Sequence, residues 1–203
     1  MVNEFLYLRK FLVTGAAVIY WGGVLFQARR VGKQIGRTPN LKPQGLKERL
    51  LWSGWFFIIL GWIGQPWILP SKVSSFFSFL SWRVDPLFIV LGILLLAGGY
   101  GGTLWCYAAM GSLWRIGIDR QEKTTLVTNG PYRWIRHPIY LFQMIMLLGS
   151  FFLIPTYFSL ILLGIHLFCS LNKAIDEERH LLRTLGSEYR DYQSRTGRFL
   201  PPI

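Results

Sequence analysis

The chain has 203 residues and a net charge of +12; 52% of it is hydrophobic and only 16% is charged, against about 25% charged in soluble domains. That balance excludes an ordinary soluble domain and defines an integral membrane protein, in which the positive charge belongs to membrane topology rather than to nucleic acid. Two cysteines, Cys106 and Cys169, both in apolar segments, are too few for a disulfide framework or a metal site and are read as packing residues.

The first charge-free window runs from Phe11 to Gln27. It reaches spanning length if the helix begins at Phe5, with Arg9 and Lys10 snorkelling to the interface. A cleaved signal peptide competes, but no small-residue cleavage site precedes a polar mature start. The following loop, Arg29 to Arg49, carries seven Lys or Arg together with Gly32, Gly36, Pro39, Pro43 and Gly45, and reads as a solvated positive loop against anionic lipid. The second window, Leu50 to Ser71, contains Trp52, Trp55, Trp62 and Trp67, with the outer two placed for aromatic belts. The third, Pro86 to Trp114, holds Gly92, Gly98, Gly99, Gly101 and Gly102. Small residues at this density fit close helix approach in lipid; the alternative is room for a lipid tail or cofactor beside the backbone.

The last window is the longest, 36 residues from His137 to Asn172. As one helix it would measure roughly 54 Å, well beyond a hydrocarbon core of about 30 Å. Pro155 near its middle predicts two short crossings instead, a hairpin that returns the chain to the side it left. With that hairpin, 18 of the 22 Lys and Arg fall on one side, which by the positive-inside rule is the cytoplasm, with the amino terminus outside. The expected fold is therefore all-α: an integral membrane bundle of about five transmembrane helices, the last two a hairpin around Pro155, followed by a cytoplasmic helical tail. No repeat or second domain interrupts it, so residues 1–203 form one domain. His166, alone in an apolar segment, is read as a hydrogen-bonded structural residue.

Two polar constellations flank the hairpin. The first is Leu126 to Tyr140, LVTNGPYRWIRHPIY. Pro138 falls at the first position of the fourth span, which biases His137 toward an extended conformation. The free amides of that helix start, beside Arg136 and His137, suit an anionic group such as a carboxylate. The competing reading is an interface anchor of Arg136, His137, Trp134 and Tyr140. The second constellation contains Asp176, Glu177 and Glu178, on a helix expected to end at Gly186. Ile175, Glu178, Leu182 and Leu185 share a face, so Glu178 sits in an apolar stripe and needs a partner, whereas Glu177 accompanies it or stays solvated. Both glutamates could instead merely pair with Arg179, Arg183 or other loop cations. Ser187 is expected to cap a short successor helix, with Tyr189, Tyr192 and Arg195 on one face.

Together these residues resemble the isoprenylcysteine carboxyl methyltransferase and phospholipid methyltransferase superfamily of integral membrane enzymes. The resemblance covers Gly111 to Pro201, through GSLWRIGID at Gly111 to Asp119, the Arg136-His137-Pro138-Ile139-Tyr140 junction, Glu177-Glu178, and Tyr189, Tyr192 and Arg195. It departs from the family pattern at Phe142, where a glycine is common, and at Arg195-Thr196-Gly197, where Arg-Val-Pro is expected. The resemblance implies S-adenosylmethionine bound without a Rossmann domain, and no metal. Tyr132, His137, Pro138, Tyr140, Glu177, Glu178, Tyr189 and Tyr192 are the implied cofactor-binding residues, and Arg136 and Arg195 the implied catalytic ones.

The expected reaction is methyl transfer to a lipophilic acceptor entering from the bilayer, with an isoprenylcysteine-type carboxylate first. Phospholipid amines and small hydrophobic thiols are the alternatives. Two readings of other classes stand beside it: an NADPH-dependent sterol-type membrane reductase and a non-enzymatic lipid-binding protein. The expected location is a bacterial inner membrane.

Overall fold

The computed structural model describes residues 2–39, 43, 45–68, 86–115 and 125–202. The run Ile116 to Asp119, part of the motif beginning at Gly111, lies outside them. The described residues form five long helices and a short sixth: α1 (Val2–Ile35), α2 (Gly45–Ile68), α3 (Pro86–Met110), α4 (Pro138–Leu153), α5 (Tyr157–Leu185) and α6 (Ser187–Arg195). Short 3-10 turns at Gly111–Leu113 and Gly130–Arg133 lead out of α3 and toward α4. The fold is an all-α membrane bundle, as its composition requires.

Among the described residues, the segments Leu6–Ile35, Pro86–Leu113 and Tyr157–Leu185 are long and apolar enough to cross a membrane. α2 is diluted by four tryptophans and by Gln65 and Pro66, and α4 has 16 residues, or about 24 Å. α5 has 29 residues, about 44 Å, so its last turns extend beyond a core of about 30 Å. Those turns carry Lys173, Asp176, Glu177 and Glu178.

The turn at Pro155 forms as its residues dictate. Thr156 caps α5, its hydroxyl accepting from the Ser159 amide at 3.1 Å, and Ser159 donates to Gln65 on α2 at 2.9 Å. Trp62 of α2 donates to Ser150 of α4 at 2.7 Å. These bonds satisfy buried polar groups that lipid would leave unpaired, and they fix α2, α4 and α5 at the end remote from the charged motifs.

α3 and α4 pack backbone to backbone. A methyl group at Gly92 would meet Leu153 Cγ at 2.8 Å and the Gly149 carbonyl at 2.9 Å. Gly99 faces Met146 and the Phe142 carbonyl, and Gly102 lies under the Phe142 ring. Close packing thus accounts for three of the five α3 glycines; Gly98 and Gly101 face open space. The departure at Phe142 is accommodated here: the larger side chain leans on α3, where Gly102 leaves room for it. Gly102→Ala should drive a methyl group into that ring and cost about 1–3 kcal/mol. The expected result is a lower thermal midpoint in detergent, partly recovered when Phe142→Ala is added; an unchanged midpoint in the single variant contradicts the packing argument.

Candidate active site

The hairpin brings the two polar constellations together. Pro138 is the first residue of α4, and His137 precedes it at φ −126° and ψ 58°. α5, starting from the remote turn, delivers Glu177 and Glu178 against that junction. His137 lies between them, with Nδ1 at 3.4 Å from Glu177 and Nε2 at 3.3 Å from Glu178. Burial opposes charge on this imidazole, but hydrogen bonds to both carboxylates outweigh it and raise the His137 pKa above its ordinary value. A protonated ring donates from both nitrogens and bridges the two glutamates.

Neighbouring positions on a helix differ by about 100°, and the two glutamates accordingly meet different surroundings. Glu178 is the hub of the tail. Its carboxylate accepts from Arg136 Nε at 2.9 Å and from Arg198 at 3.0 and 2.8 Å. Arg136 also donates to the carbonyls of Gln193 and Thr196. The extended chain after α6 then pairs with the segment before α4. Gly197 N donates to the Trp134 carbonyl at 3.1 Å, Arg136 N to Gly197 O at 2.8 Å, and His137 N to Arg198 O at 3.0 Å. A proline at 197 could not donate the first of these bonds, so the Thr196-Gly197 departure matches the local pairing.

Glu177 faces the other way, into a cavity of about 710 Å³, within the range of small-molecule sites. Tyr140 donates to it at 3.1 Å and stacks on His137 with ring centroids 5.8 Å apart. Lys173, Glu177, His180 and Leu181 line the cavity from α5, and Tyr132, Arg136, Tyr189 and Tyr192 from the junction and tail. Tyr192 donates to the Tyr132 carbonyl at 2.7 Å, whereas the buried Tyr189 hydroxyl has no hydrogen-bond partner among the described residues.

The expected site residues therefore separate. Tyr132, Arg136, His137, Tyr140, Glu177, Tyr189 and Tyr192 line one cavity; Pro138 and Glu178 stand behind its wall. Arg195 is exposed and donates to the Asp191 carbonyl at 3.0 Å; the tail cation that reaches Glu178 is Arg198. Ser187 is the first residue of α6 and not its cap, the turn being made by Gly186 at φ 58°. His166 has the structural role expected, bonding the Tyr140 carbonyl at 3.0 Å and meeting Trp55 edge-on.

The remaining wall comes from residues that sequence reasoning did not place. α1 and α2 supply Trp21, Leu25, Trp52, Trp55 and Phe56 among others. Leu25 and Phe56 are 59% and 61% exposed on the apolar outside of the bundle, so the cavity runs from the charged junction to the lipid-facing side of α1 and α2. Lys173 and Glu48 line it too, 3.9 Å apart. The spacing of Lys173, Glu177 and His180 on one helical face was the available signal for the α5 part. Nothing local marks the α1 and α2 part.

An all-helical membrane bundle whose tail walls one side of a cavity and whose α1 and α2 wall the other, toward lipid, is an integral membrane protein with a cavity of small-molecule size. The phospholipid methyltransferase family model matches residues 87–188, half of the chain, and the chain belongs to that family. It is similar to the cobalt-zinc-cadmium resistance protein CzcN of Cupriavidus metallidurans, 29% identical over 120 residues that cover 59% of this chain and 52% of that protein. It is also similar to the nickel-cobalt-cadmium resistance protein NccN of Alcaligenes xylosoxydans xylosoxydans, 32% identical over 111 residues, 54% of this chain and 51% of that one. The matched part spans about half the length of these curated relatives.

Proposed function

We propose that this protein transfers a methyl group from S-adenosylmethionine to a lipophilic acceptor at the membrane, most simply an isoprenylcysteine-type carboxylate, with phospholipid amines and small hydrophobic thiols as alternative acceptors. The observation that carries the reading is the cavity itself, whose wall joins Glu177, His137 and the tyrosines to a lipid-facing aromatic side. The donor set suits the proposed methyl donor. Glu177 accepts from an ammonium or ribose hydroxyl. The rings of Tyr132, Tyr140, Tyr189 and Tyr192 cover an adenine or face a sulfonium cation. S-adenosylmethionine, when bound, supplies an electrophilic methyl group.

The chain's own contribution is then alignment and exclusion of water. The tail, pinned through Glu178 to Arg136 and Arg198, covers one side of the cavity, and α1 and α2 admit the acceptor from the other. A carboxylate or thiolate acceptor is already charged, so no general base is required. On the charge asymmetry of the sequence, the site and tail face the cytoplasm of a bacterial inner membrane. Isothermal titration of the full chain with S-adenosylmethionine and its demethylated product should show binding, and radiolabelled methyl transfer into a membrane extract should yield a labelled lipophilic product. Absence of binding to well-folded protein overturns the proposal, and binding of NADPH in its place would transfer it to the reductase class.

A further inference from the structure

Two charges that line the cavity stand apart from the cluster around Glu178. Lys173 is one helical turn before Glu177 on α5, about 6 Å nearer the membrane, and Glu48 lies in the first turn of α2. Both line the cavity, and their side chains are 11% and 18% exposed, so neither is sealed within the wall. They sit where the lining changes character, with Glu177 and His137 on one side and Trp52, Trp55 and Phe56, the next turns of α2, on the other. Their separation is 3.9 Å, too long for a hydrogen bond. The neighbouring pair between the same two helices, Lys47 and Asp176, closes at 2.6 Å although its side chains are 53% and 24% exposed. That outer pair already straps α2 to α5. An ion pair withdrawn from water recovers its desolvation only through short, well-made hydrogen bonds, so a second strap set deeper would close tighter, not wider. The wider spacing suits a ligand that carries both charges and completes short bonds to either side.

We infer that Glu48 and Lys173 are specificity-determining residues that together receive an α-amino carboxylate, the ammonium on Glu48 and the carboxylate on Lys173. The acceptor is then an S-alkylated cysteine whose amine is free. Its alkyl chain runs along Trp52, Trp55 and Phe56 toward lipid, and its carboxylate lies about one helical turn from Glu177. An N-acylated cysteine, as at the end of a peptide, offers no ammonium, and an ethanolamine phosphate separates its charges by more atoms. This rests on the proposed methyl transfer in taking the occupant as an acceptor; recognition of paired charges stands on its own geometry.

Trp52 and Trp55 line the cavity and report its occupancy by fluorescence. The probes share a 12-bromododecyl quencher chain on sulfur and differ in the headgroup: cysteine, N-acetylcysteine and cysteinamide. Each is titrated into the full chain in dodecyl maltoside and corrected for partition into protein-free micelles. The wild type should bind the cysteine probe about 10-fold more tightly than either of the others, the scale of one charge-assisted hydrogen bond. Glu48→Gln should weaken the cysteine and cysteinamide probes about 10-fold and spare N-acetylcysteine. Lys173→Met should weaken the cysteine and N-acetylcysteine probes and spare cysteinamide. A lysophosphatidylethanolamine with a brominated chain should bind the wild type more weakly than the cysteine probe. Equal affinity of the wild type for the cysteine and N-acetylcysteine probes overturns the inference whether or not the variants fold, and tighter binding of the lysophospholipid overturns it as well. Equal weakening of all three probes in both variants, at unchanged thermal midpoint, reduces the pair to a strut and also overturns it. A wild type that prefers the cysteine probe but ignores the demethylated product of S-adenosylmethionine overturns the methyl transfer reading and leaves the paired-charge seat standing.

Discussion

Glu178→Gln is expected to undock the tail, drawing Tyr189 and Tyr192 of α6 away from the cavity wall, while leaving Tyr140 and Glu177 in place. The substitution keeps the shape of the side chain but removes the charge that three cations share: Arg136 at 2.9 Å, Arg198 at 2.8 Å and His137 at 3.3 Å. Arg136 is the decisive partner, because its side chain is 9% exposed and that of Glu178 6%, so the lost pair leaves a cation with little water to compensate it. Removing one member of such a pair typically costs about 3–5 kcal/mol. Arg198 is 36% exposed and its share is small after solvent screening, about 1 kcal/mol or less. The measurements are the thermal midpoint in detergent and the rate of proteolysis after Leu185. A lower midpoint and faster cleavage are expected, and Arg198→Ala should reproduce a fraction of each. Unchanged values in Glu178→Gln would show that the hub does not hold the tail.

Glu177→Gln should give the opposite pattern. This side chain is 24% exposed, faces the cavity and, among the described residues, touches no tail cation; its pairing with the buried His137 is shared with Glu178, so its neutralisation should lower stability less than Glu178→Gln does. On the proposed reading its carboxylate receives a donor from the methyl donor itself. A hydrogen bond to a charged group contributes about 1.5–3 kcal/mol, so titration with the demethylated product should show affinity reduced about 10- to 100-fold. Paired variants one residue apart thus separate a structural carboxylate from a ligand-facing one. Strong destabilisation by Glu177→Gln with unchanged affinity would reverse the two roles.

The amino-acid sequence determined the parts of this protein that depend on local chemistry. Uncharged length fixes where helices lie in a membrane, Pro155 turns a stretch too long for one crossing into a hairpin, and Pro138 marks where α4 starts. From these it follows that the Arg136-His137 junction and the Glu177-Glu178 pair come to one end of the bundle, where they meet within hydrogen-bond reach. Tertiary structure decided what each residue does there. One residue along a helix rotates a side chain by about 100°, so which glutamate enters the cavity depends on how α5 sits against its neighbours. The choice of Arg198 over Arg195 follows from the extended pairing of residues 197 and 198 with Trp134, Arg136 and His137, contacts some sixty residues apart that no local pattern encodes. The α1 and α2 wall likewise exists only once separate helices converge, because a cavity is a property of the surfaces left unfilled when separate segments pack.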